Sequence, residues 1–394
     1  MQDQPRSRRQ TRAAILGRLL ATGGLYRTRL AAESGLSEGS VSRIIGELRS
    51  EGLVEEPRRP VPYPGGPSSI VALRKDQRIA GLEFANDRLA VGVGNFAGEA
   101  DTTARYPLPA GSAPALVRET VIEAVAGLAE WCRRQGVAPR HIAASLPGFR
   151  GMGPLANPIV PVDTGWLDQH LRESFPGVPV TLGNTVAVHA AAQLHGRGVA
   201  MVERRKLFLY LGHGVGGAWV EPITADDPIR PIEIGHVVLD PEGAACRCGH
   251  RGCLETQASL VALAGLFEVP EAELAAAGPH WMERVRLTAR REASLRAMLR
   301  RLGLVIGNAL NLQPAARVVL CGWPAGLPEG LRTAIAEGMG MSLFGGLGEG
   351  APPLEFLAPL LGAEPAPSLA YALHCLIREG GMAQQEDRPA RLAG

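Results

Sequence analysis

The sequence predicts an α/β protein in which a winged helix-turn-helix precedes a body of two lobes. Two helical patterns joined by a glycine-containing turn stand near the N-terminus. Strand patterns alternate with helical patterns in two comparable halves of the remaining chain. With 394 residues, the chain has enough length for two or three domains with cores of their own.

The N-terminal module is predicted from helical periodicity and capping signals. The predicted helices are Thr11–Thr22, Thr28–Ser34 and a third that begins after Ser37. Ser37 is a good N-cap and Glu38 suits the first turn of the third helix. One apolar stripe runs along that helix, formed by Val41, Ile44, Ile45 and Leu48. The turn 34–37 between the second and third helices contains Gly35, as a helix-turn-helix requires.

A wing is predicted after the third helix, from two short strand patterns at 52–56 and 69–73 around a Pro/Gly-rich tip. We expect Ser40, Ser42 and Arg43 to approach base edges or nearby backbone of double-stranded DNA. Phosphate contacts are expected from Arg27, Arg58 and Arg59. The alternative interpretation of this module is a small helical bundle used for dimerisation.

The charge distribution favours a polyanionic partner for the N-terminal module. Residues 1–60 carry 11 Arg or Lys against 7 Asp or Glu, although the whole chain has a net charge of only +2. A solvated, flexible arm would explain the arginines at 6–9 equally well. Neither a signal peptide nor a run long enough to span a bilayer is visible, and the scattered Cys132, Cys321 and Cys375 indicate reduced core thiols. We therefore expect a cytoplasmic protein without a membrane partner.

The body is predicted to contain strands and helices in two repeated sets, with a cleft between two lobes. The expected domains are the winged helix-turn-helix at 1–75, a first lobe at 76–190, a second lobe at 191–382 and a flexible tail at 383–394. The helix predicted at Ser368–Arg378 is allowed to pack back on the first lobe. A long helix is predicted over Glu283–Leu312.

A metal site is predicted between residues 233 and 255. Cys246, Cys248 and Cys253 fall within eight residues, and His236 lies ten positions before the first of them. Three thiolates and one imidazole form a closed tetrahedral ligand set for Zn²⁺, as in structural zinc sites. Gly249 and Gly252 would allow the tight turns that such a loop needs. The alternative is a loop with unpaired cysteines.

The winged helix, the two α/β halves and the pattern GH…CxCGxxGCxE from Gly235 to Glu255 together resemble the ROK family. That family groups sugar-responsive repressors, such as those for N-acetylglucosamine and xylose, with sugar kinases of the actin-like (ribonuclease-H-like) fold. The resemblance covers nearly the whole chain. It implies sugar contacts from Glu233, His236 and Glu255, with Asn184 at the start of a helix also near the ligand. Without the metal loop, Glu233 would be interpreted as a surface residue and Glu255 as a helix cap.

The resemblance breaks where kinases handle phosphate. Family kinases have an Asn-Asp pair in which the Asp is general base, whereas Asn184 is followed here by Thr185, whose hydroxyl is not basic near neutral pH. The first phosphate loop has lost its glycines and contains Asp87, and the second has His213 where the family prefers threonine. We therefore expect no catalytic residues and no enzymatic activity. The sugar-binding pattern also differs from that of the family, because Val162 stands where the family commonly has Asn. The ligand can therefore be an unusual sugar or another molecule.

Three hypotheses follow for the function. The first is a transcriptional regulator, most simply a repressor, that binds double-stranded DNA and senses a carbohydrate-like effector as a homodimer or dimer of dimers. The second is a bifunctional sugar kinase with a DNA-binding arm. In the third, the pocket has decayed and a protein partner controls the regulator.

Overall fold

We describe the fold from a computed structural model of the chain. The structure describes residues 7–57, 70–85, 87–109, 111–148, 160–194, 204–348, 351–360 and 365–382. The predicted wing tip with Arg58 and Arg59, and the predicted tail at 383–394, lie outside these residues. The chain divides into unit 1, which comprises Met1–Glu203, Pro222–Pro228 and Ala363–Gly394, and unit 2, which comprises Arg204–Glu221 and Ile229–Gly362. None of the described helices is long and apolar enough to cross a bilayer.

The N-terminal module consists of three helices and a small antiparallel sheet with the strand order β1–β3–β2. Its elements are α1 (Arg8–Thr22), β1 (Leu25–Tyr26), α2 (Arg27–Ser34), α3 (Glu38–Ser50), β2 (Val54–Glu55) and β3 (Ile70–Leu73). The predicted helices are confirmed, and the Ser37 side chain accepts a hydrogen bond from the Ser40 amide at 3.2 Å as the N-cap of α3. The predicted apolar stripe of α3 is fully buried. Strand β1 was not predicted, because two residues carry no periodic signal.

The first sheet of the body lies in unit 1 and has the order β6–β5–β4–β7–β8. Its elements are β4 (Arg78–Phe84), β5 (Arg88–Asn95), β6 (Ala100–Pro107), α4 (Pro114–Gln135), β7 (Pro139–Leu146), α5 (Thr164–Ser174), β8 (Val180–Asn184) and α6 (Thr185–Leu194). Strands β4, β5 and β6 are antiparallel, whereas β7 and β8 run parallel to β4. Helices α4 and α5 bury their apolar faces on this sheet to form one core.

The second sheet lies in unit 2 and repeats this topology, with the order β11–β10–β9–β12–β13. The remaining elements are β9 (Lys206–Leu211), β10 (Val215–Val220), β11 (Ile229–Ile232), α7 (Glu255–Ala258), α8 (Leu260–Phe267), α9 (Glu271–Ala277), α10 (Ala289–Leu312), β12 (Arg317–Gly322), α11 (Glu329–Ser342), β13 (Leu354–Leu357) and α12 (Ala366–Arg378). Three antiparallel strands are again followed by two parallel ones. The prediction of two comparable α/β halves is confirmed.

The long helix predicted from Glu283 begins later than expected. Helix α10 starts at Ala289, after Thr288, whose side chain caps it. The segment Gly278–Arg284 is instead a 3-10 helix. Its Trp281 is fully buried and donates a hydrogen bond from its indole to the Trp323 carbonyl at 2.8 Å. Because Trp281 is buried against Trp323, the segment Gly278–Arg284 does not continue into α10. No local sequence pattern indicates this contact.

The last helix, α12, belongs to unit 1, where it packs on β4, β7 and α6. The division between the units falls after Glu203, beyond the end of α6 at Leu194. The predicted lobe boundary after residue 190 stays a prediction. Unit 1 therefore combines the N-terminal module, the first sheet and the carboxyl-terminal helix.

We expect unit 1 to be destabilised by mild acid through His141 of β7. Burial, together with the positive charges of Arg378 and Arg172, lowers the pKa of His141 to about 3 from its usual 6.5. Between these two values the unfolded chain binds a proton that the folded chain excludes. The free energy of unfolding therefore falls by about 1.4 kcal/mol for each unit by which the pH is lowered. Urea unfolding followed by hydrogen exchange of β7 measures this slope. A His141→Gln variant should show a shallower slope; equal slopes in both proteins would contradict the prediction.

Candidate functional site

The four predicted metal ligands lie together in unit 2. One ligand atom from each of His236, Cys246, Cys248 and Cys253 lies within 4.8 Å of all the others. The Cys248 and Cys253 sulfurs are 3.6 Å apart. Zinc–sulfur bonds of about 2.3 Å at tetrahedral angles require a sulfur–sulfur distance of about 3.8 Å. The donor set and its spacing therefore fit a tetrahedral cation, and the structure contains a Cys₃His cluster suited to a metal.

A short antiparallel ladder builds this cluster. Isolated bridges pair Val238 with Cys253 and Ala245 with Arg251, which brings the ends of the loop together. Gly249 and Gly252 have φ values of +94° and +65°, in the left-handed region that glycine adopts without strain. A Cβ on Gly252 would also collide with the Asp240 backbone. The two glycines predicted to make tight turns do so.

The pKa values of the clustered thiols differ. Burial raises the pKa of Cys248, but hydrogen bonds from the backbone and side chain of His250 and from the neighbouring thiols outweigh it and bring this pKa to about 6. Burial and hydrogen bonds to Cys248 and Cys246 raise the pKa of Cys253 to about 12. A bound cation favours the thiolate form of every ligand cysteine. The crowded thiols are thus chemically suited to a cation.

His236 connects the metal cluster to Glu233. Its Nδ1 lies 3.6 Å from the Cys246 sulfur, and its Nε2 lies 3.9 Å from Glu233 Oε2. The two ring nitrogens therefore face the cluster and a carboxylate, an arrangement that fixes the orientation of a metal-binding imidazole. The Glu233 side chain is 44% exposed. Its carboxylate lies beside the Cys₃His cluster and is accessible to solvent.

Glu255 reaches the glycine-rich loop 212–217 of unit 2. As the first residue of α7, it accepts a hydrogen bond through Oε2 from the Val215 amide at 2.9 Å. A Cβ on Gly235 would collide with the Val215 carbonyl, so the Glu233–His236 segment lies against the same residue. Glu255 and the Glu233–His236 segment thus both contact the backbone of Val215, which belongs to the glycine-rich loop.

Asn184 lies in unit 1, and its side-chain amide has structural partners. Its Oδ1 accepts from the Val186 amide at 2.8 Å, and its Nδ2 donates to the Gly148 carbonyl at 2.6 Å. The next residue, Thr185, has its hydroxyl 3.4 Å from that of Ser145. Two neutral hydroxyls therefore lie close together at the start of α6. A ligand contact from Asn184 stays a prediction.

Glu271 is a residue of this region that the sequence analysis did not identify. It opens α9, and its Oε1 lies 2.7 Å from Nδ1 of His213 in the glycine-rich loop. The two residues are 58 positions apart, and their pairing depends on how α9 packs. The only local signal at Glu271 is that of an acidic residue in a first helical turn. This pair places a carboxylate directly beside the loop.

The predicted DNA-contact residues have different environments. Arg43 projects from α3 with 70% of its side chain exposed, and Ser42 next to it is half-buried. Ser40 accepts a hydrogen bond from the Ser37 hydroxyl at 2.9 Å. Arg27 donates two hydrogen bonds to Glu56, at 2.7 and 2.9 Å, which raise the pKa of the guanidinium despite its burial. A phosphate contact from Arg27 would compete with this pair and stays a prediction.

Comparison with known proteins identifies both parts of the chain. The ROK family model matches residues 79–336, and a winged helix-turn-helix DNA-binding model matches residues 8–55. The DNA-binding transcriptional dual regulator NagC of Escherichia coli is 25% identical over 264 residues, which are 65% of this chain and 64% of that protein. A glucokinase of Halalkalibacterium halodurans is 34% identical over 125 residues, 29% of this chain and 38% of the enzyme. The chain thus spans less than two thirds of the length of these curated relatives.

The fold is shared with a solved ROK regulator. A crystal structure described as a ROK family transcriptional regulator, a homologue of the E. coli Mlc protein, covers 94% of this chain and 97% of its own, with a TM-score of 0.67 and 19% identity. The chain belongs to the ROK family, in which it joins an actin-like body to an N-terminal winged helix-turn-helix.

Proposed function

We propose that this protein is a DNA-binding transcriptional repressor whose ROK body binds a sugar or sugar derivative without phosphorylating it. The observation that carries the proposal is the combination of a helix-turn-helix, with Arg43 exposed on α3, and a body in which Thr185 begins α6, where the resemblance to ROK kinases implies a general base. The similarity to NagC over 264 residues supports the repressor role.

Three features argue against phosphoryl transfer. The hydroxyl pair of Thr185 and Ser145 supplies no general base near neutral pH. The amide of Asn184 is engaged with backbone groups. Glu271 places a carboxylate against His213 in the glycine-rich loop, where it would repel a nucleotide phosphate.

The effector is proposed to contact Glu233, His236 and Glu255 in unit 2. Carboxylates accept hydrogen bonds from neighbouring sugar hydroxyls, and Glu233 is sufficiently exposed to do so. Glu255 already holds the Val215 amide with one oxygen, so its second oxygen would serve the ligand. A carbohydrate is favoured over an apolar ligand because these groups are carboxylates and an imidazole.

We further propose that the metal is zinc and that its role is structural. Three sulfurs and one nitrogen occupy all four positions of a tetrahedral ion, which leaves none for a substrate. The ion would fix the His236 ring and hence the position of Glu233. We infer that the repressor acts in the cytoplasm as a homodimer or dimer of dimers, since two modules are needed to contact two half-sites.

A thermal-shift panel tests the effector proposal. N-acetylglucosamine, glucose, mannose and xylose are added to zinc-loaded protein, and ATP turnover is followed in parallel. A sugar present at 100 times its Kd should add about 2.7 kcal/mol of stability, enough to raise the midpoint by several degrees. Glu233→Gln should abolish this rise. Glu130→Gln on α4 is the matched control, because the two carboxylates have similar exposure, 44% and 45%.

The outcomes separate the hypotheses. A midpoint rise without turnover supports a sensor. ATP-dependent turnover that disappears in Glu233→Gln would establish the bifunctional kinase instead. No response to any sugar would favour an effector of another class.

A further inference from the structure

Arg12 of α1 is a buried cation that joins three elements of unit 1. Its side chain is only 1% exposed. Its Nε donates to the Gly380 carbonyl beyond α12 at 2.7 Å, and its Nη1 donates to Glu47 at 3.3 Å and Glu51 at 2.9 Å, at the end of α3. Arginine is rarely buried to this extent, because its desolvation is costly unless every donor is satisfied. The residue therefore has a specific positioning role.

The end of α12 is shaped to receive the N-terminal module. Gly380 and Gly381 have φ values of +68° and +75°, so both adopt the left-handed conformation in succession. A Cβ on Gly381 would collide with the Leu53 side chain, and one on Gly380 would lie 3.0 Å from Arg12 Cβ. Arg9 also donates to the Arg378 carbonyl at 3.3 Å. The arginine side chains of α1 thus bind backbone carbonyls at and beyond the carboxyl end of α12.

The middle of α12 lies against the strand that leads to Asn184. Tyr371 is 2% exposed, and its ring occupies the space where a Cβ on Gly183 would stand. Gly183 precedes Asn184, which caps α6. Nearer the amino end of α12, Ser368 donates to the Leu82 carbonyl of β4 at 2.9 Å. Helix α12 is therefore held between the sheet and the start of α6.

These contacts form a continuous physical connection from the predicted ligand residue to the DNA-binding helix. Tyr371 lies seven residues before Arg378, the last residue of α12, about 10 Å along the helix axis, and Gly380 follows two residues later. Because α12 is packed on β4, β7 and α6, a displacement of Tyr371 would move the carboxyl end of the helix, and the two residues beyond it would carry this movement to the Gly380 carbonyl. Arg12 would follow this carbonyl and shift Glu47 and Glu51 with it.

We propose that α12, acting through Arg12, transmits changes at Gly183–Asn184 to the position of α3. This inference depends on the proposed function for its biological meaning, because a change at Gly183–Asn184 would alter DNA binding only if the winged helix-turn-helix binds DNA. The mechanical link itself requires neither a sugar nor an operator. Arg12 is a positioning residue, since its side chain is buried and its donors are used by Gly380, Glu47 and Glu51.

A second connection to α3 provides the contrasting case. Arg140 of β7 donates to the Glu51 carbonyl at 2.6 Å and to the Gln77 side chain at 2.6 Å. It reaches the same end of α3, but directly from the sheet. If α12 is the transmitting element, loss of Arg12 and loss of Arg140 must have different consequences.

Hydrogen exchange followed by mass spectrometry tests the proposal in the full-length, metal-loaded protein without ligand. Gly183→Ala displaces Tyr371, and Tyr371→Leu perturbs the same contact from the other side should the first variant fail to fold. We expect either change to alter amide exchange at residues 45–53 about fivefold or more. Gly265→Ala, at a helical glycine of unit 2 with open space around it, is the control.

Combining Gly183→Ala or Tyr371→Leu with Arg12→Met should abolish the change in amide exchange at residues 45–53. Combining either contact variant with Arg140→Met should leave that change in place. The proposal is overturned if neither contact variant changes exchange in α3, or if Arg140→Met blocks the effect and Arg12→Met does not. Because no sugar is present, a negative sugar panel with positive exchange data would refute only the effector proposal.

Discussion

Cys253→Ser is expected to lose the bound metal and to lower the unfolding midpoint of unit 2 by roughly 10 °C. Cys253 is fully buried, with its sulfur 3.6 Å from that of Cys248, so a shorter and harder serine oxygen cannot replace it. Metal that binds only the folded state contributes its binding free energy to folding. Metal content by inductively coupled plasma mass spectrometry and the midpoint by calorimetry give the two measurements.

Cys132→Ser is the control for this experiment. Cys132 is also buried, but it lies in α4 of unit 1, far along the chain from the metal cluster. We expect this variant to retain a full equivalent of metal. A chelator should lower the midpoint of wild type and of Cys132→Ser, and leave Cys253→Ser unchanged. A Cys253→Ser protein with a full equivalent of metal would refute the proposed ligand set.

Arg43→Ala is expected to weaken binding to a DNA duplex obtained by in vitro selection by about 10- to 100-fold, the cost of one good base contact. The Arg43 side chain is 70% exposed, and its ion pair with Glu47 spans 3.9 Å, so its removal should leave the fold intact. Fluorescence anisotropy at two salt concentrations measures the affinity and separates a base contact from a phosphate contact. A base contact leaves the salt dependence nearly unchanged.

Arg133→Ala, on α4, provides the matched comparison, because 74% of its side chain is exposed and it pairs with Glu130 of its own helix. We expect wild-type affinity and salt dependence from it. Equal affinities for Arg43→Ala and wild type would exclude Arg43 from the DNA interface and direct attention to Ser40 and Ser42.

The local elements were predictable because their signals are local. The apolar stripe of α3, the cap at Ser37 and the glycine turn follow from residues within one or two helical turns. The clustering of His236, Cys246, Cys248 and Cys253 was also predictable, since three of the four lie within eight residues; their role as metal ligands stays a prediction. The 3-10 segment around Trp281 was missed, because it is held by Trp323, 42 residues away.

The sequence alone determined the helix-turn-helix, the two α/β halves and the Cys₃His cluster, since periodicity and close spacing record them directly. Only the tertiary structure decided that His236 turns its second nitrogen towards Glu233, that Glu271 meets His213, and that Arg12 is buried between α3 and the end of α12. The Arg12 contact joins residues 368 positions apart. A contact at such separation depends on how whole elements pack, and packing leaves no periodic trace in the chain.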